Sequence, residues 1–583
     1  MQWAPWSLSI YVISCFIHHV SLAEDFPPPC DSTIYCHGTL IHTIQMAKIF
    51  DDDKHFVDMG LQDTPARTLK KFQALLQRNR NNIPVSKLKE FLNTSFTEPG
   101  EEFEPWIPSD WKEKPEILSH ITDPALKDWA AALNLLWKSL GRKIKDDVKD
   151  NPDRHSQIYV PNAVIVPGGR FREFYYWDSY WVINGLLLSE MSSTAKGMIE
   201  NFLYMVDRYG WIPNGGRIYY NLRSQPPFLT LMMESYMENQ KNISFLRESI
   251  ALLEKEYQFW MNNRTVIVTL EGINYTLNQY RVPVGEPRPE SYSVDYELAE
   301  NLPTTEAKQA LYAELKAAAE SGWDFSSRWF SKTQQDLKGT KTSSMIPVDL
   351  NAILYRVEKT LSKFFTELNM EDKAAQFQSA YNQRLQAVNS VLWDKDVGVW
   401  LDYNIEDQSR NNEFFPSNLI PLWATCYTGQ EQVDKAVTYL ENNKALTYKN
   451  GLPTSLKNSG EQWDFPNAWA PLQHMVIDGL QKCGSDKASK IAFSLAQKWV
   501  TTNYKVYKEH NAMFEKYNVE HDNIPGGGGE YVVQLGFGWS NGVILQLLDL
   551  FKGRLTSGSV LCTTVSWTVL TLPLVAISLW DIY

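Results

Sequence analysis

The chain has 583 residues, 13% aromatic and 21% charged, with a formal net charge of -12. That length admits one large domain or two ordinary ones. The acidic balance argues against nucleic acid or an anionic membrane surface as partner, because both select basic faces. With neither a CxxC pair nor an HExxH helix present, a metal or thiol mechanism finds no support, no cofactor is expected, and a neutral ligand fits the charge best.

From the N-terminus, residues 6–20 are mostly apolar, and Ser21-Leu22-Ala23 then supplies small residues for a signal-peptidase site. Residues 1–23 therefore read as a secretory signal peptide and 24–557 as the mature body, an N-terminal extension followed by a catalytic unit. Asn93-Thr-Ser, Asn242-Ile-Ser, Asn263-Arg-Thr and Asn274-Tyr-Thr are N-glycosylation sequons, which agree with secretion. Removing Cys15 and Cys562 with the two ends leaves Cys30, Cys36, Cys426 and Cys483, which permit three pairings. The short Cys30/Cys36 loop is the easiest disulfide, and free buried thiols are the plain alternative for Cys426 and Cys483.

Helical periodicity recurs over 68–78, 123–142, 195–208, 228–239, 245–261, 305–319, 350–369, 373–392, 430–441, 469–479, 487–503 and 541–552, each placing apolar residues at i, i+3/i+4 spacing. Strands are few: 266–270 with 275–280, and 398–403, where Val, Ile, Thr and aromatics gather. No Gly/Ser- or Pro-rich linker divides the chain between 39 and 550. The pattern predicts one all-α domain, a toroid of paired helices with functional residues on loops at one end and a few short strands in those loops.

Two segments carry the chemistry. The run Pro167-Gly-Gly-Arg-Phe-Arg-Glu-Phe-Tyr-Tyr-Trp-Asp-Ser-Tyr-Trp181 crowds two arginines and two carboxylates among rings with no clean period. Gly168 and Gly169 bend the backbone toward something close. The mixture suits a sugar, whose C–H faces lie on rings while its hydroxyls need forked, charged partners. A Gly-bent loop leading into an amphipathic helix is the other reading. Gln462-Trp-Asp-Phe-Pro-Asn-Ala-Trp-Ala-Pro-Leu-Gln473 repeats the chemistry, with Trp463 and Trp469 as pocket wall; for Glu173 and Asp464, capping or ion pairing competes with a site role. At the C-terminus, 560–580 is apolar and nothing basic follows, so a lipid-exchange signal fits better than a spanning anchor. Ser557-Gly558-Ser559 offers the attachment site, with Ser557 as the lipid-bearing residue and 558–583 as the removed propeptide.

Both signature segments, PGGRFREFYYWDSYW and QWDFPNAWAP, resemble those of the trehalases almost throughout. Arg223-Ser-Gln-Pro-Pro-Phe228, Arg288-Pro-Glu-Ser291, Ser321-Gly-Trp-Asp-Phe-Ser-Ser-Arg-Trp329, Glu515-Lys-Tyr517 and Gly526-Gly-Gly-Gly-Glu-Tyr531 extend the likeness from about 36 to 552, in an order like that of animal cell-surface members. The resemblance implies an (α/α)6 barrel that hydrolyses α,α-trehalose to two glucoses with inversion, without a cofactor, at the outer face of the plasma membrane. It implies Asp324 as general acid and Glu515 as general base. Arg170, Trp177, Asp178, Asn214, Arg223, Ser224, Gln225, Arg288, Glu290 and the Gly322 backbone are implied as sugar binders. Glu530 is a further binding carboxylate and the alternative base. Trp323 and Phe325 around Asp324 favour a protonated carboxyl, whereas Arg328, if paired with Asp324 one helical turn on, would spoil it. Convergence of the three arginines on one pocket would keep its binding carboxylates ionised and leave the acid as the exception. Another inverting α-glucosidase on the same toroid and a non-catalytic, lipid-anchored sugar-binding protein are the competing functions.

Overall fold

The structure, a computed structural model, describes residues 27–558; the expected signal peptide and the apolar tail after Gly558 lie outside the described residues. Twelve helices among them build the body: α1 (Pro124–Leu140), α2 (Asp178–Leu188), α3 (Ser192–Tyr209), α4 (Leu229–Gln240), α5 (Ile243–Asn263), α6 (Val348–Glu367), α7 (Glu371–Ala387), α8 (Ile420–Ala424), α9 (Gln430–Asn442), α10 (Ala470–Lys482), α11 (Asp486–His510) and α12 (Gly538–Leu550). The even-numbered members pack in succession, α2 on α4, α4 on α6, α6 on α8, α8 on α10 and α10 on α12, and α12 closes the ring on α2. Outside it, α3 lies on α2 and α4, α5 on α4 and α6, α7 on α6, α11 on α10 and α1 on α12. This is the expected all-α toroid.

Sequence explains both layers. Outer helices carry one apolar stripe and capped starts: Asp123, Asn242 and Ser485 accept the backbone N–H of Leu126, Phe245 and Ala488. Inner helices are buried on nearly every side, as in α2, where Asp178 to Ile183 are all buried. In α2 this removes the polar face and with it the periodic signal. That is why α2, beginning inside the first signature, was not among the expected helices, and why the five-residue α8 was not either. Where α2 meets α12 the backbones touch: a Cβ on Gly542 would stand 2.1 Å from the Trp181 carbonyl oxygen. The helix expected over 373–392 ends at Ala387 and finishes in a π turn, Val388–Leu392.

The expected hairpin forms between Thr265–Leu270 and Ile273–Asn278, paired antiparallel from Thr265 opposite Asn278 to Leu270 opposite Ile273. The strand expected over 398–403 is two short ones, Val399–Trp400 and Tyr403–Asn404, in different sheets. Residues from Ile34 to Phe96 form a smaller apolar cluster that seats on Tyr175, Tyr219, Tyr220 and Tyr292. Cys30 and Cys36 are disulfide-bonded, and Cys426 and Cys483 are free and buried. Among the described residues no helix is long and apolar enough to cross a membrane.

Candidate active site

Loops leading into the N-terminal ends of α2, α10 and α12 converge on one cavity. Arg170, Trp177, Asp178, Asn214, Arg223, Gln225, Arg288, Glu290, Gly322, Asp324, Glu515 and Glu530 line it, with Trp463 and Trp469 in the wall. Ser224 is the exception among the expected binders. Its hydroxyl donates to the Ile212 carbonyl (2.6 Å) and its N–H to Glu320 (2.9 Å), so it orders the loop and is not part of the lining. The first signature thus supplies both a sugar-like wall and the start of a helix, although that helix is buried rather than amphipathic.

Rings hold the wall rigid. Trp463 stacks on Trp469 with centroids 3.8 Å apart and planes within 2°, and Trp323 stacks on Trp463 at 5.5 Å. Gly322, at φ +78°, must be a glycine twice over: the left-handed backbone disfavours a side chain, and a Cβ would stand 2.7 Å from the Trp177 indole. Gly169 (φ +61°) likewise lets the Arg170 N–H reach Gln534 Oε1 at 2.7 Å.

The three arginines do converge, each already paired. Arg170 forks onto Asp52 (2.7 and 2.6 Å) and stacks on Tyr531. Arg223 donates to Glu290 Oε1 at 2.5 Å and lies over Tyr220. Arg288 binds Asp295 (2.6 Å) and both oxygens of Glu530 (2.7 and 3.2 Å). Arg223 Nε and Glu290 Oε2 nevertheless remain buried without a hydrogen-bond partner. Each such atom costs about 1–3 kcal/mol, which a ligand hydroxyl or water would recover.

The carboxyls divide by environment. Burial raises the Asp324 pKa to about 7, opposed by Arg288 and Arg223 and assisted by Glu530. Arg328 does not pair with it. Residues 327–329 are a 3-10 turn rather than a helix continuation, and Arg328 instead clamps Asp349 and Asp402 with four hydrogen bonds of 2.7–3.0 Å. Glu290 goes the other way: burial pushes its pKa up, but Arg223 and Arg288 hold it below the ordinary value. Asp178 shifts in the same direction as Asp324. Burial raises it well above the usual range, with Glu515 and Asp324 adding repulsion.

The two candidate bases separate on geometry. Glu530 is saturated by Arg288 and the Ser291 hydroxyl (3.1 Å). Glu515 accepts from the Tyr531 hydroxyl on Oε1 (2.8 Å), while Oε2 is buried without a hydrogen bond and has the Lys516 ammonium 3.5 Å away. Only Glu515 keeps an oxygen free to accept a proton. Among the described residues no group of His, Cys, Asp and Glu could hold a metal ion.

A sequence profile described as Trehalase matches residues 48–552. The chain belongs to the trehalase family. It is 53% identical to the trehalase of Homo sapiens over 538 residues, covering 92% of each chain. It is 48% identical to that of Apis mellifera, covering 94% of this chain and 88% of the relative. Among solved structures it is similar to neutral trehalase Nth1 from Saccharomyces cerevisiae, at 26% identity and a TM-score of 0.55 over 70% of this chain and 80% of that one. As a trehalase-family member the chain is a glycoside hydrolase.

Several contributors to this trehalase-family site had no role assigned from sequence. Tyr531 closes over Glu515 and Arg170; it followed the glycine run, and an aromatic there was the available signal. Asp52, from the N-terminal segment, had none. Glu173 and Asp464 do not line the cavity. Glu173 pairs with Lys54 and Arg217 in the interior, and Asp464 accepts from Ser326, Ser327 and Ser459 beneath the loop that carries Asp324.

Proposed function

We propose that this protein hydrolyses α,α-trehalose to two glucoses with inversion at one anomeric carbon. The carrying observation is the contrast between the two carboxyls: Asp324, unpaired and raised to about 7, beside Glu515 with one unpartnered oxygen facing a lysine. Asp324 donates its proton to the glycosidic oxygen as the C–O bond breaks. Water attacks the opposite face of the same carbon and gives its proton to Glu515. Each turnover leaves Asp324 ionised and Glu515 protonated, and solvent exchange restores both. Inversion requires a carboxyl separation of roughly 6.5–9.5 Å, enough to admit the water. Arg170, Arg223 and Arg288, with Trp177, Asp178, Asn214, Gln225, Glu290, Glu530 and the Gly322 backbone, hold the two sugar rings.

Asp324→Asn and Glu515→Gln should each lose at least ~1,000-fold in kcat with the fold intact. Proton NMR of the first products should give equal α- and β-glucose; α-glucose alone would exclude inversion. Faster turnover of maltose than of trehalose would move the reading to a general α-glucosidase.

The same proposal places the enzyme on the outer cell surface, secreted through residues 1–23 and lipid-anchored at Ser557. The Ser557 N–H and hydroxyl donate to Asp123 (2.8 and 3.0 Å), which ties this segment to the start of α1. Asn93, Asn263 and Asn274 are exposed and Asn242 is half-buried, which supports glycosylation at these four sequons. Release from cells by phosphatidylinositol-specific phospholipase C tests the anchor, and retention would refute it.

A further inference from the structure

Lys516 follows Glu515 directly, yet its side chain is fully buried. Its ammonium donates to Gln462 Oε1 at 2.5 Å, stands 3.5 Å from Glu515 Oε2, and lies 5.0 Å and 5.2 Å from the ring centres of Trp469 and Tyr531. Gln462 turns its other end to the acid loop, where Nε2 donates to the Asp324 carbonyl at 2.5 Å. One contact chain thus runs Glu515, Lys516, Gln462, Asp324. It joins the antiparallel pair Asn467–Trp469 and Lys516–Asn518 to the loop carrying the acid.

A buried ammonium costs several kcal/mol unless its charge is used, and an apolar side chain of that length would pack without the cost. The charges around it indicate the use. Glu515 faces Tyr531, behind which stands Arg170, already committed to Asp52. Asp178 is in electrostatic contact with Glu515 and Asp324, and Lys516 with Glu515 and Asp324. Of these groups only Lys516 is a cation in direct ion-pair contact with Glu515. Burial lowers its own pKa, while Glu515 and Asp324 pull it back up.

We infer that Lys516 is a positioning residue for the hydrolysis proposed above: through Gln462 it sets the base strand against the acid loop, and its ammonium, 3.5 Å away, holds the free oxygen of Glu515 in place for the attacking water. This rests on Glu515 being the base.

The test is the pH dependence of kcat and kcat/KM on trehalose for the wild type, Lys516→Met, Lys516→Arg, Gln462→Leu and Glu515→Gln, with circular dichroism for each. Lys516→Met should lower kcat ~10-fold or more at every pH, with KM changed less than about threefold. Lys516→Arg, which keeps the charge, should recover most of that loss, and Gln462→Leu should lower kcat in the same KM-sparing way. A folded Lys516→Met enzyme with wild-type kcat overturns the inference. If Lys516→Met does not fold, wild-type kcat in Gln462→Leu overturns it instead. Glu515→Gln separates the two layers, since activity retained there defeats the base assignment itself.

Discussion

The Asp324 carboxyl is held against its ordinary chemistry, and its cost should be measurable apart from catalysis. In the unfolded chain it ionises near 3.8, whereas in the folded protein burial holds the proton to about 7. Between those values the folded state binds more protons than the unfolded one, so stability falls as pH rises through the window. Above about 7 the difference is constant, and below the unfolded value it vanishes. Asp324→Asn keeps the shape and removes the titration. Its thermal midpoint should therefore match the wild type near pH 3.5, exceed it increasingly from pH 4 to 7, and hold that lead at pH 8. A gain of the same size at every pH would mean that the carboxyl is not proton-linked to folding. With Asp324 in its proposed role as acid, the same raised pKa predicts that kcat/KM declines above about pH 7, where that proton is lost.

Arg328 shows where local spacing misleads. It is the fourth residue after Asp324, and helical geometry would have paired them; the 3-10 turn Ser327–Trp329 carries it instead toward Asp349 on α6 and Asp402. Replacing it with Met leaves two buried carboxylates without their cation, a loss of about 3–5 kcal/mol. Urea unfolding should show the midpoint moving down accordingly, and an unchanged midpoint would mean the clamp contributes nothing. Lys should recover only part, because one ammonium cannot match a planar fork with two carboxylates. Outer helices such as α5 and α11 were legible because one face is wet and one dry. The inner helix α2 was not, because burial on all sides erases the period. In the site, the rings flanking Asp324 pointed to a proton-holding carboxyl from physics alone. Glu515 stood out only by family resemblance, since its free oxygen, its tyrosine and the buried state of its lysine neighbour are facts of tertiary packing. For Ser224, adjacency to Arg223 says nothing about which way its hydroxyl turns, and in the structure it turns to the Ile212 carbonyl.

At the scale of the whole molecule, the N-terminal segment is part of the pocket's support although it lies outside the toroid. Asp52 caps the short helix Asp53–Val57 by accepting the Lys54 N–H, and the same carboxylate holds Arg170 in a two-pronged grip. Burial works to raise its pKa, but Arg170 holds it below the usual value, so the pair stays charged. Two residues further, Lys54 pairs with Asp58 one turn on and with Glu173, and Arg217 bridges Asp58, Glu173 and Glu102. Glu173 in turn accepts from the Tyr175 hydroxyl in the pocket wall (2.6 Å). The two halves of this contact should fail differently. Asp52 is partly exposed, so Asp52→Asn keeps a helix cap and costs little stability. It frees the Arg170 fork, however, and a guanidinium no longer held must be ordered by the substrate. KM for trehalose should rise about 10-fold with kcat within about twofold, since roughly 1.5 kcal/mol of ordering moves into the binding step. Lys54→Met instead removes one of the two cations, Lys54 and Arg217, that Asp58 and Glu173 share, and should lower the unfolding midpoint before it changes KM. Steady-state kinetics and thermal scans on the two variants decide it: equal loss of stability in both, with KM unmoved in Asp52→Asn, would reduce the N-terminal segment to a structural cover.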